Sequence, residues 1–381
     1  MDNIAFARPN IGPAEIDAVT AVLKSGWLTS GAKTRDFEQA FADAVGAEHA
    51  VALNSCTAAL HLALIALGIG DGDEVIVPTM TFAATAEVVY AVGATPVLAD
   101  SRPDDLTIDP KHVESLIGEN TRAVIPMHYG GRAAAMKEIS ELARLNDLAV
   151  VEDAAHSFPT MIDGGLVGGG DSDAACFSFY ANKTITTGEG GMLTTPHAEV
   201  ADRVRRLSLH GLSRDAWRRF DVRSPWDYDI TEPGWKYNLT DIASAIGLVQ
   251  LGRADELAES RRRIAARYDE RLEALAEIAP LPDQGARSHS AHLYVVRLRG
   301  IDRNSVIEHL GAAGIGTSVH YRPLHLHSFY VGKTQPPEAL PVATKAFDEI
   351  LSLPNWAGMP EAMVDMVCDR LTEAVRGGGR Q

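Results

Sequence analysis

Short apolar runs alternate with helical patterns along the chain from about residue 48 to residue 210. The runs predicted as strands are HAVALN, DEVIVP, TPVLAD, TRAVIP, LAVVED, AACFSFY and GGMLTT. The first intervening helix is predicted after Asn54, because Leu60, Leu64 and Leu67 share one face and Gly68 follows as a stop. This alternation is typical of an α/β fold with a large mixed, mostly parallel sheet and helices on both faces. In such sheets, ligands bind at the carboxyl ends of the strands.

The pattern changes at Thr240 to one long helical stretch, which we expect to run to Pro280 and to bridge two domains. Beyond it, the pattern predicts strands at 292–298 and 317–321 and helices over 305–314 and 361–375. We therefore expect a large α/β domain over residues 1–245. A small α+β C-terminal domain that includes the bridging helix is expected over residues 246–381.

Composition narrows the class of protein. The 381 residues are 46% hydrophobic and 23% charged, which predicts a globular protein of about two domains. The formal charge of −16 argues against binding to nucleic acid or to an anionic membrane surface, because both carry the same sign of charge. The three cysteines have no metal-ligand spacing, and the N-terminal residues resemble no signal peptide. No apolar run is long enough to span a bilayer, so we expect a cytoplasmic protein with reduced thiols.

Lys183 and Asp153 are the candidates for covalent chemistry. Lys183 lies between an apolar run and a Gly-rich turn in FSFYANKTITTGEGGML, and Asp153 ends an apolar strand upstream. A primary amine and a carboxylate that keeps a ring nitrogen protonated are what a pyridoxal phosphate (PLP) site needs. Small neighbours with few charges predict a buried lysine of lowered pKa, and a reference pKa of about 4 predicts an ionised aspartate. Taken singly, Asp153 is better explained as a helix cap or a salt-bridge partner, and Lys183 as a solvated side chain.

An anion site is predicted at residues 54–58 (NSCTA), where a helix begins directly after a strand. The alternative is an ordinary helix start capped by Ser55 or Thr57. Ser178 would add a further hydroxyl, and Phe82, just past a strand end, would stack on a planar ligand or belong to the core. His156 follows Asp153 by three residues and is either close to that ligand or an ordinary structural histidine.

Two rival sites are not supported by their spacing. The glycines over 164–170 lack the strand, Gly-x-Gly-x-x-Gly and helix order of a dinucleotide fold. Three histidines lie close together in the chain, namely His320, His325 and His327. They have no carboxylate or cysteine partner at the spacing of metal ligands. We therefore expect no metal site.

Nearly the whole chain resembles the DegT-type (DegT/DnrJ/StrS) PLP-dependent sugar aminotransferases, enzymes of PLP fold type I (aspartate aminotransferase-like). The motifs that carry the resemblance are FARPNIG, SGWLTSG, NSCTAALHLAL, PTMTFAATAEVVYAVGATPVLAD, VVEDAAHS, FSFYANKTITTGEGGML, LSLHGLSRDAW, PGWKYNLTDIASAIGLVQL and GIGTSVHYRPLHLHSFY. A dehydrating relative carries histidine where this chain has Lys183, so the resemblance implies amino transfer. It also implies a homodimer with shared active sites.

The resemblance assigns roles by position. It implies that Lys183 forms the Schiff base, that Asp153 contacts the pyridine nitrogen and that His156 lies beside the ring. Further positions that match cofactor-binding residues of the family are Cys56, Thr57, Phe82, Ser178 and Asn238, the last reaching the phosphate from the neighbouring subunit. Positions that match substrate-binding segments are Trp27, Leu28, Thr29, His320 and Tyr321.

The segment PGWKYNLTDI, with residues 213–217 upstream, is similar to family members that aminate position four of a nucleotide-linked keto-sugar. We expect the donor to be an amino acid, L-glutamate by resemblance, and the acceptor a 4-keto-6-deoxyhexose or pentose. Alternatives on the same fold are a keto-cyclitol aminotransferase, an aminohydroxybenzoate-type PLP lyase and a non-catalytic regulatory protein. A basic cluster follows at Arg214, Arg218, Arg219 and Arg223. It either attracts the diphosphate of the nucleotide sugar or is a solvated charged face.

Overall fold

The computed structural model describes residues 3–213 and 229–377. The helices are α1 (Pro13–Ser25), α2 (Ala32–Val45), α3 (Cys56–Ala66), α4 (Ala84–Ala91), α5 (Pro110–Leu116), α6 (Met136–Asn146), α7 (Ala198–Leu207), α8 (Asp241–Gly252), α9 (Ala254–Leu272), α10 (Arg303–Ala312), α11 (Pro341–Glu349) and α12 (Glu361–Gly377). The strands are β1 (His49–Leu53), β2 (Glu74–Pro78), β3 (Thr95–Ala99), β4 (Thr121–Val124), β5 (Ala149–Asp153), β6 (Met161–Ile162), β7 (Gly165–Leu166), β8 (Ala174–Ser178), β9 (Gly191–Thr195), β10 (Ile278–Pro280), β11 (Tyr294–Leu298) and β12 (Ile350–Leu353).

The seven strands predicted from the apolar runs form one sheet, in the order β1-β9-β8-β5-β4-β2-β3. Pairing is parallel from β8 through β3, whereas β9 runs antiparallel to both of its neighbours. The predicted large, mostly parallel sheet is therefore confirmed. Because β5 and β8 are parallel neighbours, their carboxyl ends, at Asp153 and Ser178, lie at the same edge.

Both faces of this sheet are buried. Val51 and Leu53 of β1 pack with α3 on one face, and Ala50 and Ala52 pack with the phenylalanines of α2 on the other. Alternate residues of a strand point to opposite faces, so two apolar layers need near-continuous apolar strands. Helix α3 is apolar almost all round because it packs against strands β8 and β9 beneath it and against helices α4 and α7 beside it.

The C-terminal part of the chain forms a three-stranded antiparallel sheet in the order β10-β11-β12. Helices α9, α10 and α12 pack with it around a second apolar core. The strand predicted at 317–321 is wrong, because only Ser318 pairs there, in a single bridge to Ser352 of β12. After that bridge the chain leaves β12 for the large sheet, where the Leu324 N–H donates to Thr79 O at 2.9 Å.

The single long helix predicted from Thr240 to Pro280 is also wrong. It is divided at Arg253 (φ −109°, ψ 6°) into α8 and α9. The two helices bury their apolar faces against different neighbours, α8 against α1 and α2 and α9 against α12, so their axes differ although the apolar pattern continues. Pro280 does not end a helix but lies in the edge strand β10, where proline is tolerated. The division into domains at residue 245 stays a prediction.

Within the described ranges, every helix is too short or too polar to cross a membrane.

Candidate active site

Lys183 lies on a tight turn between β8 and β9. Its backbone N–H donates to Tyr180 O at 3.0 Å, and two threonine groups, Thr187 N and Thr186 Oγ1, donate to Phe179 O at 2.9 and 3.0 Å. These bonds close the turn over the end of the sheet. The short-chain polar residues around Lys183 therefore serve the backbone of the turn and leave the amine to face inward.

The amine of Lys183 lies 3.5 Å from Nε2 of His292. Burial lowers the pKa of Lys183 to about 8, and the positive charge of Arg261 acts in the same direction, against Cys56 and Asp153. A lysine near this pKa is a nucleophile at physiological pH, because a fraction of the amine is unprotonated. The sequence predicted the direction of this shift from the small, uncharged neighbours.

Asp153 ends β5 and is only 4% exposed. Its Oδ2 accepts from Thr85 Oγ1 at 2.7 Å, and its Oδ1 accepts from the Ala155 N–H at 3.2 Å. Burial raises the pKa of Asp153 although these hydrogen bonds and the charge of Lys183 lower it. The reference pKa of about 4 assumed from the sequence is therefore too low. A carboxylate that is costly to ionise alone is suited to face a cationic ring nitrogen.

His156, His292 and Tyr321 form an aromatic cluster beside Lys183. The ring centroids of the two histidines are 4.3 Å apart. His156 Nδ1 accepts from the Gly130 N–H at 3.2 Å, which leaves the proton on Nε2, 3.0 Å from the Tyr321 hydroxyl. Burial and the charge of Lys183 lower the pKa of both histidines well below its ordinary value, so both rings are neutral.

Two further residues from the sequence prediction border this cluster. The Phe82 ring centroid is 6.2 Å from that of Tyr321, and the side chain is 61% exposed, so one face is open to a planar ligand. His320 stacks on Phe6, and its Nδ1 lies 2.9 Å from Ser352 Oγ. Burial lowers the pKa of His320 to about 4, which makes it a neutral imidazole at physiological pH.

The N-terminus of α3 lies against β8 and β9. Ser55 caps this helix, with Oγ accepting from the Ala58 N–H at 3.1 Å. The Cys56 thiol is turned into the sheet, where Sγ donates to Cys176 O at 3.2 Å, and burial raises the pKa of this thiol. The first N–H groups of a helix have no intrahelical acceptor, so Cys56 offers an anion its backbone N–H rather than its side chain. Thr57 is exposed beside it.

Gly191 permits this arrangement of helix and strand. It is the β9 partner of Ser178, and a Cβ built on it would lie 2.4 Å from Ser55 C and 2.6 Å from Cys56 N. Both neighbours are backbone atoms and cannot rotate away. The absence of a side chain therefore lets β9 approach the start of α3. The backbone at residues 55–57 then forms a concave anion site with Gly191 and Ser178, which we call the cradle.

Gly191→Ala is expected to destabilise the fold by about 1–3 kcal/mol and to weaken PLP binding at least about tenfold, because the helix start must move. Fluorescence titration of the apoprotein with PLP, together with thermal unfolding, measures both effects. Gly170→Ala is the matched control, since a Cβ there meets no atom within 4 Å. Equal PLP affinity in the two variants would contradict the cradle assignment.

The remaining predicted residues lie together near the start of α8. The Asp241 N–H donates to Thr29 O at 3.2 Å, and Asn238 Nδ2 donates to Ser30 Oγ at 2.7 Å. Trp27 precedes this segment and Leu28 is exposed. Asn238 also pairs through its backbone with Leu53, at the end of β1 and three residues before the first residue of α3. The structure thus places this group beside the cradle.

The remaining sequence candidates are four arginines and two histidines. The arginines predicted as a diphosphate-attracting cluster fall in residues 214–228, outside the described residues. His325 lies between Thr79 and Thr344, and His327 Nε2 is 3.2 Å from Arg322 O. In the described part of the chain no group of three or more metal-ligating side chains is present.

His292 and Arg261 were missed by the sequence analysis. His292 is a single histidine before a strand, and nothing in its neighbourhood marks it. Arg261 lies in a helix rich in arginine and glutamate, which suggests a solvated surface. Its phase carried the signal, because it shares a face with buried Leu257, Ile264 and Tyr268.

These residues fit a pyridoxal phosphate. An amine, a buried carboxylate and a helix N-terminus suited to a phosphate lie at one edge of one sheet. The carboxylate and the cradle are linked, because Cys176 is the strand partner of Asp153 and accepts the hydrogen bond of Cys56. Neutral aromatic side chains supply a planar, largely apolar wall between them.

Comparisons with known proteins agree with this fit. A sequence model of the DegT/DnrJ/EryC1/StrS aminotransferase family matches residues 9–372. The spore coat polysaccharide biosynthesis protein SpsC of Bacillus subtilis is 43% identical over 381 residues, which cover 98% of this chain and 97% of SpsC.

Solved structures with the same fold carry the cofactor or a sugar product. Spr1654 of Streptococcus pneumoniae, assigned as a sugar aminotransferase and solved in its PLP form, is similar with a TM-score of 0.92 and 33% identity over 99% of each chain. DesI, solved in the presence of its TDP-sugar product, is similar with a TM-score of 0.87 and 30% identity, over 99% of this chain and 94% of DesI. The chain therefore belongs to the DegT/DnrJ/EryC1/StrS aminotransferase family and is a PLP-dependent aminotransferase of fold type I.

Proposed function

We propose that the protein transfers the amino group of an amino acid, L-glutamate, to position four of a nucleotide-linked keto-sugar, a 4-keto-6-deoxyhexose or pentose, in the cytoplasm. The observation that carries amino transfer is the amine of Lys183, of pKa about 8, at the same sheet edge as buried Asp153. The TDP-sugar product of DesI supports the nucleotide-linked acceptor. The segment at 233–242 supports position four.

The protein would hold the cofactor at both ends. The backbone N–H groups of Cys56 and Thr57 and the hydroxyls of Thr57 and Ser178 would bind the phosphate. Asp153, oriented by Thr85, would bind the ring nitrogen. When bound, PLP supplies an electron sink that stabilises negative charge on the carbon that loses and regains a proton. His156 and Phe82 would confine the ring between them.

Lys183 would carry the proton. With a pKa of about 8, about one amine in ten is unprotonated at pH 7 and half at pH 8. A base whose pKa lies close to the working pH can take up a proton in one half-reaction and return it in the other. Neutral His292, 3.5 Å from the amine, adds no competing positive charge.

We further propose a homodimer in which Asn238 of each chain completes the phosphate site of the other. The amide of Asn238 is held by Ser30 and Lys236, beside exposed Leu28 and Thr29. This segment, together with Trp27, would then line the sugar site from one side. His320 and Tyr321 would line it from the other, where Tyr321 already contacts His156.

The test is a substrate panel on protein loaded with pyridoxamine phosphate. We expect a 4-keto nucleotide sugar to restore the absorbance of lysine-bound PLP at least about a hundredfold faster than a 3-keto isomer, because only one carbonyl meets the aligned amine. Stopped-flow absorbance measures both rates, and L-glutamate should then regenerate the loaded form. Faster return of this absorbance with a 3-keto sugar or a keto-cyclitol would contradict the proposal. Failure of every sugar in the panel to restore it would also contradict the proposal.

A further inference from the structure

Arg261 is a buried guanidinium that has no carboxylate partner among the residues that the structure describes. It lies in α9 and is 3% exposed. Among the residues at 3–213 and 229–377, its hydrogen-bond partners are all backbone carbonyls, whereas Arg262 and Arg267 on the same helix pair with glutamates. Burial lowers the pKa of Arg261 to about 10. An unpaired buried cation is costly, so a side chain that served packing alone would be better apolar.

The carbonyls that Arg261 binds belong to three separate segments. Nη2 donates to Asn182 O at 2.9 Å and to Lys183 O at 3.4 Å. Nη1 donates to His292 O at 3.2 Å and to Asn355 O at 2.7 Å. One planar group thus ties the turn that carries Lys183 to the segments just before β11 and just after β12.

Two of these contacts are with residues whose side chains meet at the amine of Lys183. Lys183 Nζ is 3.5 Å from His292 Nε2, and Arg261 holds the backbone carbonyls of both residues. Nδ1 of His292 has no partner among the described residues, so no side-chain hydrogen bond on that edge fixes the ring. The placement of His292 therefore depends on its backbone and on packing against His156.

We propose that Arg261 is a positioning residue for the amino-transfer reaction: it sets the placement of the Lys183 amine against His292 and keeps a positive charge beside that amine. The part of this inference that concerns turnover rests on the proposed function, and the part that concerns the amine does not. The charge favours the unprotonated amine, which is the form that attacks a carbonyl and accepts a proton.

The charged groups around the amine of Lys183 determine in which direction its pKa changes when Arg261 is removed. The titratable groups that face Lys183 are Cys56 of α3, Asp153 of β5, His156, Arg261 of α9, His292 and His320. The histidines are neutral because burial lowers their pKa, so Asp153 and Arg261 are the opposed charges. Removal of Arg261 leaves Asp153 unopposed and raises the pKa of Lys183.

The test compares Arg261→Gln and Arg261→Lys with Arg262→Gln. Arg262 is the neighbouring arginine on α9, and it pairs with Glu259 and donates to His289 O at 3.4 Å, away from the turn of Lys183. Full-length protein without cofactor is labelled with acetic anhydride across a pH series, and mass spectrometry of the Lys183 peptide gives the labelling midpoint. We expect a midpoint near pH 8 in the wild type and in Arg262→Gln, and a higher midpoint in Arg261→Gln. Arg261→Lys, which keeps the charge, should stay close to the wild type.

Steady-state kinetics separate the positioning role of Arg261 from the effect of its charge. We expect kcat to fall roughly a hundredfold in Arg261→Gln and roughly tenfold in Arg261→Lys, with KM changed less than about threefold, because one ammonium cannot hold four carbonyls. If Arg261→Gln fails to fold, the Lys variant decides, and an unchanged kcat in it overturns the proposal. A wild-type midpoint in folded Arg261→Gln also overturns it. Shifted midpoints in a protein that aminates no keto-sugar would refute the proposed function and leave the role of Arg261 standing.

Discussion

Lys183→Ala is expected to lower the rate of amino transfer by roughly 10⁴-fold or more, because the substitution removes both the covalent anchor and the proton carrier. The turn holds this amine 3.5 Å from His292 Nε2, where the charge of Asp153 acts on it. The measurement is the initial rate of keto-acid release from L-glutamate. The variant should still bind PLP through the α3 cradle, with the absorbance of the free aldehyde.

Lys137→Ala is the matched control, because Lys137 is an exposed lysine on α6, far along the chain from the turn. It should retain the wild-type rate. A Lys183→Ala protein that keeps its fold and turns over within about tenfold of the wild type would refute the role of the lysine.

Asp153→Asn is expected to lower kcat by about 10²- to 10³-fold, because a neutral amide cannot hold the ring nitrogen protonated. The expected stability change is small. Burial raises the pKa of Asp153, so the carboxylate costs more to ionise in the folded protein than in water, and relief of that cost offsets the loss of a hydrogen bond with Thr85 or Ala155. We expect the free energy of unfolding to stay within about 1 kcal/mol of the wild type.

Thermal unfolding and the keto-acid assay together check this expectation, with Asp171→Asn on an exposed loop as the control. A large loss of stability with normal specific activity in the folded fraction would show that Asp153 is structural. Loss of activity at unchanged stability would place the effect in the chemistry.

The large sheet was predictable because strands buried on both faces need near-continuous apolar sequences, as in Glu74–Pro78 and Ala149–Asp153. The strand predicted at 317–321 is absent because residues of this segment contact two different parts of the molecule. Ser318 pairs through its backbone with Ser352 of β12, whereas the hydroxyl of Tyr321 contacts His156. The segment therefore makes two separate contacts and does not form a strand.

The sequence was enough to predict that Asp153 ends one strand and that Lys183 follows another, and the structure brings both to one edge of the sheet. Arg261 was hidden because its sequence neighbourhood is the same as that of solvated arginines, and only the packing of α9 shows that this one is buried. The assumed pKa of Asp153 was wrong because burial is a tertiary property. Nothing in the sequence indicates that the Cys56 thiol turns toward Cys176.

The most direct test of the account is reduction of the PLP-loaded protein with sodium borohydride, followed by digestion and mass spectrometry. Borohydride fixes an amine joined to PLP as a stable phosphopyridoxyl adduct. We predict one adduct per chain, on the peptide that contains Lys183, and none in Lys183→Ala. An adduct on another lysine, or an unmodified Lys183 in protein that has bound PLP, would contradict the role of Lys183 as the residue that joins the cofactor.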